Sequence, residues 1–371
     1  MNVCLDIQPA IGQLAGVGRY TRSLAEYLGK QAGPDELTLF YFDFSGRGRP
    51  FPVNSARHKV VRWCPGRVAQ KAWNIIGWPP FDWFAGSADV YHFPNFVRPP
   101  LKKGRSVVTI HDVSFLRFPD TTERKNLHHL RTQIRNTVEC ADMIVTDSRF
   151  SAGEIMELLD VPEDRVQAVH LGLTPNMAST DTNAIGAMRK ALMLDRPYIL
   201  FVGTLEPRKN LPFLIETYEK LEFFDGDLVL AGMRGWKYGP ILDRIRISSR
   251  KDTIRYLEYV DEQYMPALYA GAEAFVYPSL YEGFGFPPLE AMMCGTPVIS
   301  STAGSLPEVL GISAEFIPGF DSDNWAGRIQ ALLEDNARLE TLKDSGKQHA
   351  SSFRWEETAG KMWEIYRHVS G

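Results

Sequence analysis

Two carboxylates, Glu282 and Glu290, stand with seven residues between them inside Tyr277-Pro-Ser-Leu-Tyr-Glu-Gly-Phe-Gly-Phe-Pro-Pro-Leu-Glu290. Gly283 and Gly285 keep the backbone open for close approach of a ligand. Pro287 and Pro288 suit the first turn of a helix, and Gly295 suits its end. Glu282 is therefore expected in a loop after a strand and Glu290 on the first turns of a helix. A helix start attracts anions through its amides and dipole. A phosphate there, with a carboxylate on each side for hydroxyls, matches a sugar nucleotide. In a second segment, Phe201-Val-Gly-Thr-Leu-Glu-Pro-Arg-Lys-Asn210, Arg208 and Lys209 follow a strand that ends in Gly203. Two adjacent cations can neutralise a diphosphate leaving group. Asn210 is also a common helix N-cap.

The first half offers Val107-Val-Thr-Ile-His-Asp112, which puts His111 and Asp112 at a strand's end. Such a histidine can bond a sugar hydroxyl or move a proton. A bonded structural histidine, with Asp112 capping the next helix, fits equally well. Ala15-Gly-Val-Gly-Arg-Tyr-Thr21 resembles a dinucleotide fingerprint, but Thr21 takes the third glycine's place and the loop starts far from the first strand. A nicotinamide site is disfavoured on those grounds, while a loop whose amides close on a phosphate remains open.

The chain has 371 residues, 44% apolar and 23% charged, with net charge -4. That length predicts two domains, each able to bury a core. No apolar run approaches the ~20 residues of a membrane helix, and Met1–Ala10 does not read as a signal peptide. Cys4, Cys64, Cys140 and Cys294 are scattered, so neither a zinc site nor a disulfide framework is expected. A cytoplasmic location fits. Residues 1–180 carry a net +3 and residues 181–371 a net -7, which suggests domains with different partners. The balance argues against nucleic acid, whose binding domains usually have a pI above about 9.

Short apolar strands alternate with helices in both halves. Expected strands are Val3–Ile7, Leu37–Phe42, Val90–Phe93, Val107–Ile110, Met143–Thr146 and Val166–Val169. They continue as Tyr198–Val202, Asp227–Ala231, Thr253–Val260, Ala274–Tyr277 and Pro297–Ser300. A helix is expected over Tyr20–Leu28 after a glycine-rich loop from Gly12 to Gly18, and the last over Trp355–Val369. Thr174–Ile185 reads as a linker. The pattern is two doubly wound parallel α/β domains in series, 1–175 and 176–354, with 355–371 packing back on the first. Ligands of such sheets bind at the carboxyl ends of the strands, so two facing sheets would make one deep cleft.

Residues 46–81 stand out. They hold Arg47, Arg49, Arg57, Lys59, Arg62, Arg67 and Lys71 and no acidic residue, and Trp63, Trp73, Trp78 and Trp83 fall in or beside them. That composition suits an anionic lipid surface or a lipid pyrophosphate acceptor. It equally suits a basic surface over core tryptophans. Arg98, Lys102, Lys103 and Arg105 are candidates to extend the patch.

Together these segments resemble a retaining glycosyltransferase of family 4 with the GT-B fold. The resemblance covers nearly the whole chain. It rests on Glu282-x7-Glu290 within PSLYEGFGFPPLEAMMCGTPVI, on GTLEPRKN and IHD, and on GVGRYTRSLAEYL and ADMIVTDSRFSAGEI. It implies that Glu282 and the amides of Gly283, Phe284 and Gly285 contact the donor hexose. It implies that Glu290 binds the ribose, and that Arg208 and Lys209 hold the diphosphate. His111 would touch the transferred sugar. Val260 would help hold the base, and Gly16, Val17 and Gly18 the phosphates. Gly203 and Leu289 complete the implied donor-binding set.

The resemblance also implies no cofactor and no metal; no DxD motif is read as a metal site. The implied reaction is front-side transfer with retention, assisted by the leaving diphosphate, with domain closure limiting hydrolysis. GDP-mannose is the first expected donor and a UDP-hexose the second. The expected acceptor is a glycan, on a polyprenyl diphosphate at the membrane's inner face, in surface polysaccharide assembly such as lipopolysaccharide. A sugar-nucleotide epimerase, a phosphorylase of the same fold and a non-catalytic sensor remain as alternatives.

Overall fold

A computed structural model describes residues 1–12, 16–122, 124–174, 177 and 181–371. The chain divides into two compact units. The first comprises Met1–Val113, His128–Gly172 and Arg354–Gly371, and the second Ser114–Leu127 and Leu173–Phe353. The expected division at 175/176, with the last helix returning to the first domain, places Ser114–Leu127 differently.

The first unit is built on seven strands: β1 (Asn2–Asp6), β2 (Glu36–Phe42), β3 (Ala56–Val61), β4 (Val90–Phe93), β5 (Arg105–Thr109), β6 (Met143–Thr146) and β7 (Val166–Ala168). They run parallel in the order β3-β2-β1-β4-β5-β6-β7. Central strands such as β4 are buried at every position. That is why they read as unbroken apolar runs rather than as alternation. Helix α1 (Gly16–Gln31) follows β1. It packs on the terminal helix Trp355–Ser370, where Trp363 and Tyr366 are fully buried. The Trp363 indole donates to the Leu28 carbonyl at 3.2 Å.

The second unit repeats the plan with β8 (Tyr198–Val202), β9 (Asp227–Ala231), β10 (Ile254–Leu257), β11 (Ala274–Tyr277), β12 (Val298–Ser301) and β13 (Glu315–Ile317). All are parallel, in the order β10-β9-β8-β11-β12-β13. In each sheet the chain reverses its direction of growth once, between β1 and β4 and between β8 and β11. Strand ends at such a switch point leave a crevice where ligands bind.

Several expectations are corrected. Gly16, Val17 and Gly18 form the first turn of α1, not a loop; residues 13–15 lie outside the described residues. The strand expected over Thr253–Val260 stops at Leu257, where its partner β9 ends at Ala231, so Val260 lies in a loop. The end of the expected linker, Thr182–Ile185, is helical. Asp181 caps the helix Thr182–Leu192, accepting the Ala184 amide at 2.7 Å. Elements not foreseen include β3, β13, helix α2 (Gly66–Ile76) and the helix Gly239–Ile247. The surface of β3 is mostly exposed and its sequence basic, so it lacks the apolar signature of its neighbours.

Candidate active site

The second unit brings the singled-out residues of both its motifs together at its switch point. After β8, Pro207–Lys209 forms one tight helical turn, and the helix Leu211–Glu219 begins two residues later. After β11, the chain runs as a loop to Gly285 and then into the helix Phe286–Met293. The backbone amide of Leu280 donates to the Arg208 carbonyl at 2.8 Å, joining the two loops.

Glu282 is 5% exposed and lies between two cations. Lys209 Nζ donates to its Oε1 at 2.6 Å and Arg208 Nη1 to its Oε2 at 3.0 Å. Arg208 also donates to the Tyr281 carbonyl at 2.8 Å, and Glu206 lies 3.8 Å from it as a looser counter-ion. Lys209 is itself buried. It donates to the Tyr277 hydroxyl at 2.8 Å and lies over that ring. Tyr277 in turn stacks on Phe201. Burial alone would raise the Glu282 carboxyl, but the charges of Lys209 and Arg208 override it and hold the group down at about 2. Burial lowers the Lys209 ammonium, and Glu282 opposes that. The result is a fixed, ionised triad. Each carboxylate oxygen can accept a second hydrogen bond, so Glu282 can still receive a hydroxyl.

Glu290 lies on the helix Phe286–Met293, buried, and accepts the Tyr269 hydroxyl at 2.8 Å. Gly283, Phe284, Gly285 and Leu289 are buried as well. Pro287 and Pro288 carry no amide hydrogen, so this helix start supplies fewer donors than the sequence argument assumed. The loop before it must contribute the rest. Asn210 is also corrected. It holds the N-cap position in a left-handed conformation with no side-chain cap bond, which asparagine tolerates. The sequence does contain two Asp-x-Asp spacings, at Asp225 and Asp227, which both lie beside Arg196, and at Asp321 and Asp323. Asp321 accepts the Asn324 amide at 2.7 Å as an N-cap, and Asp323 pairs with Lys220 at 2.8 Å. Both carboxylates have structural partners.

Gly304 was not foreseen. A Cβ there would lie 2.5 Å from the Glu282 carbonyl oxygen and 2.7 Å from its amide nitrogen. Ser305 N then donates to that same carbonyl at 3.0 Å. The loop after β12 is thus the floor on which Glu282 rests. Gly203 has a similar structural role, since its carbonyl occupies the place a Cβ on Gly232 would need.

In the first unit, His111 follows β5 and is oriented by Asp147, which follows β6. Its Nδ1 lies 2.8 Å from Asp147 Oδ2 and its Nε2 3.3 Å from the Pro94 carbonyl. Tyr20 meets the imidazole edge-on. Burial would lower the His111 pKa, but Asp147 overrides it and raises it. Its neighbour His92 is fully buried, lowered to about 3 by burial and by the His111 charge. His92 lies 2.6 Å from the Tyr366 hydroxyl and 2.8 Å from Thr109 Oγ1. One histidine is therefore held neutral as scaffold and the other is poised to titrate. Asp147 stands after an apolar strand as His111 does, and that position was the signal available for it.

The chain matches two family models. Residues 14–176 match Glycosyltransferase Family 4 and residues 187–349 match Glycosyl transferases group 1. It is 30% identical to the O-antigen chain mannosyltransferase B of Escherichia coli, over 99% of this chain and 100% of that protein. The chain belongs to the family-4 glycosyltransferases. This glycosyltransferase is also 33% identical to the serotype-specific mannosyltransferase WbdA of Escherichia coli, over 60% of its own length but 28% of WbdA. Its fold is that of sucrose-phosphate synthase from Thermosynechococcus elongatus, with a TM-score of 0.75 at 20% identity over 99% of this chain and 98% of that one. The GT-B expectation, two Rossmann-like parallel sheets, is met. Among the described residues no helix is long and apolar enough to cross a membrane.

Proposed function

We propose that the enzyme transfers mannose from GDP-mannose to a glycan acceptor carried on polyprenyl diphosphate, with retention at the anomeric carbon, in surface polysaccharide synthesis. The observation that carries this reading is the triad of Arg208, Lys209 and Glu282 at the switch point of the second sheet. Its two cations would hold the diphosphate and stabilise the charge that develops as the glycosidic bond breaks. They would do so without a metal. Glu282 would receive a hydroxyl of the hexose and Glu290 the ribose, with Gly203, Val260 and Leu289 around the nucleotide. His111 would meet the transferred sugar, and the first turn of α1 at Gly16, Val17 and Gly18 the phosphates. The likeness to O-antigen chain mannosyltransferase B supports mannose as the sugar.

The test is thermal stabilisation by GDP, UDP and ADP, each with EDTA and with a divalent metal. A ligand at a hundred times its dissociation constant adds about 2.7 kcal/mol. Selective stabilisation by GDP in EDTA is expected. A UDP response would move the donor to a UDP-hexose, and no response to any nucleotide would remove the site. Proton NMR of the first product from GDP-α-mannose is expected to show an α-linkage; a β-linkage would overturn retention.

A peripheral contact with an anionic membrane belongs to the same proposal. Trp63, Val68, Ile75, Ile76, Trp78 and Trp83 are each more than half exposed on or beside α2. The seven cations of residues 46–81 are exposed as well. Apolar side chains flanked by cations suit an anionic interface, where each cation adds about 1 kcal/mol. Of the candidates to extend the patch, Arg98 is half-buried and Arg105 exposed. Arg98 bonds Ser106 at 2.9 Å and Arg105 pairs with Asp142 at 2.9 Å. The enzyme is expected to co-sediment with vesicles containing phosphatidylglycerol at low salt and not with pure phosphatidylcholine. Ile75→Asp with Ile76→Asp should abolish that; failure of the wild type to sediment removes the contact.

A further inference from the structure

Ser114–Leu127 follows His111 in the chain yet belongs to the second unit. Within it, Ser114–Arg117 is one helical turn and Pro119–Thr121 another. The backbone of Phe118, between them, is braced from both sides. Its amide donates to the Ser114 carbonyl at 2.7 Å. Its carbonyl accepts the Thr121 amide at 3.0 Å and the Thr121 hydroxyl at 2.6 Å. Pro119 fixes the next φ. Ser114–Thr122 is thus a stiff strap rather than a loose connection.

The strap meets the second sheet at two points. The Phe118 ring lies edge-on to the ring of the buried Tyr281, with centroids 5.9 Å apart, a favourable arrangement for an aromatic pair. Two residues on, the Asp120 main-chain carbonyl accepts from Lys237 Nζ. Tyr281 stands in the loop after β11 and Lys237 in the loop after β9. β8 lies between those two strands, and its own loop carries Arg208 and Lys209. The loops after β8 and β9 are joined as well. Leu205 N donates to the Met233 carbonyl at 2.9 Å, and Gly235 N to the Leu205 carbonyl at 3.1 Å. The strap therefore ties the loops on either side of the two cations.

Tyr281 is the link to the charges. Its ring bears on Phe118, its carbonyl accepts Arg208 Nη1 at 2.8 Å, and Glu282 is the next residue. Phe118 is apolar, so it acts only through this neighbour. We propose that Phe118 is a positioning residue, which holds Tyr281, and through it Arg208 and Glu282, where they stabilise the departing diphosphate. The consequence for turnover rests on the glycosyl-transfer reading above and deepens it. Loss of the ring leaves the charge of Arg208 in place, so ground-state attraction for a diphosphate persists. What is lost is its aim at charge that develops only as the bond breaks.

The test combines hydrogen exchange without ligand, read by mass spectrometry, with steady-state kinetics. Wild type, Phe118→Ala, Phe118→Tyr and Asp120→Asn are compared, each checked for an intact thermal transition; Phe118→Leu replaces the alanine variant if that does not fold. The amides of Leu280 and Ser305 donate to the Arg208 and Glu282 carbonyls. Phe118→Ala is expected to speed their exchange about tenfold or more. Its kcat should fall about ten- to hundredfold with little change in the donor KM. Phe118→Tyr keeps the ring and should restore both. Asp120→Asn should match wild type, because Lys237 meets the main-chain carbonyl. Unchanged exchange or unchanged kcat in Phe118→Ala, or an equal loss in Phe118→Tyr, overturns the proposal. Faster exchange in Phe118→Ala beside a wild type that turns over no sugar nucleotide would instead sink the donor reading and leave Phe118 as the support of the Glu282 loop.

Discussion

Glu282→Ala and Lys209→Ala are each expected to lower kcat/KM by a factor of about 10² to 10³ or more, the scale seen when one preorganised charge donor is lost. The two variants should differ in stability. Removing Glu282 leaves Lys209, a buried ammonium, and Arg208 without their shared carboxylate. Breaking a buried pair from one side costs about 3–5 kcal/mol. In a unit of this size that lowers the midpoint by roughly 6–20 °C. Glu282→Gln, which keeps the shape, should lose activity with a smaller loss of stability. The pH dependence has a definite sign. The folded-state pKa of Glu282 lies at about 2, below the ordinary value of 4.5. Its stabilising contribution is therefore complete above pH 4.5 and is lost as the pH falls toward 2. Melting curves of wild type and Glu282→Gln should converge over that window. Full activity in both alanine variants would remove the triad from the mechanism.

Gly304→Ala should cost about 100-fold in kcat/KM although the new methyl is not assigned any contact with substrate. At φ +63° an L-residue is already strained by about 1–2 kcal/mol. The methyl would also overlap the backbone of Glu282 at 2.5 and 2.7 Å. Backbone on both sides leaves no flexible side chain to yield, so the Glu282 loop must move. Misplacement by about 1 Å is enough for a loss of that size. Gly327→Ala is the control. Its Cβ meets nothing within 4 Å on the helix Ser322–Glu334, so activity should hold and stability rise slightly. Wild-type kinetics in Gly304→Ala would show that the loop after β12 does not position Glu282.

Much of the fold was legible because parallel strands are buried on both faces. Tyr198–Val202, Asp227–Ala231 and Ala274–Tyr277 read as apolar runs and form with those bounds. β3 and α2 were not legible. Both lie largely on the surface, where burial imposes no period on the sequence, and their basic composition drew attention for another reason. Gly16, Val17 and Gly18 were read as loop because two glycines disfavour a helix, yet they open α1.

The sequence by itself determined the α/β class and the family. It also determined that Glu282 and Glu290 flank a loop-to-helix junction and that Arg208 and Lys209 follow a strand. Residue types, strand periods and the spacing within one loop are local properties, and sequence carries them directly. The tertiary structure decided that Glu282 sits between Lys209 and Arg208, that Asp147 orients His111, and that Gly304 supports the loop. These partners lie 22 to 74 positions apart in the chain. They meet because parallel crossovers bring successive strand ends to one edge of a sheet, and no local pattern records which ends become neighbours.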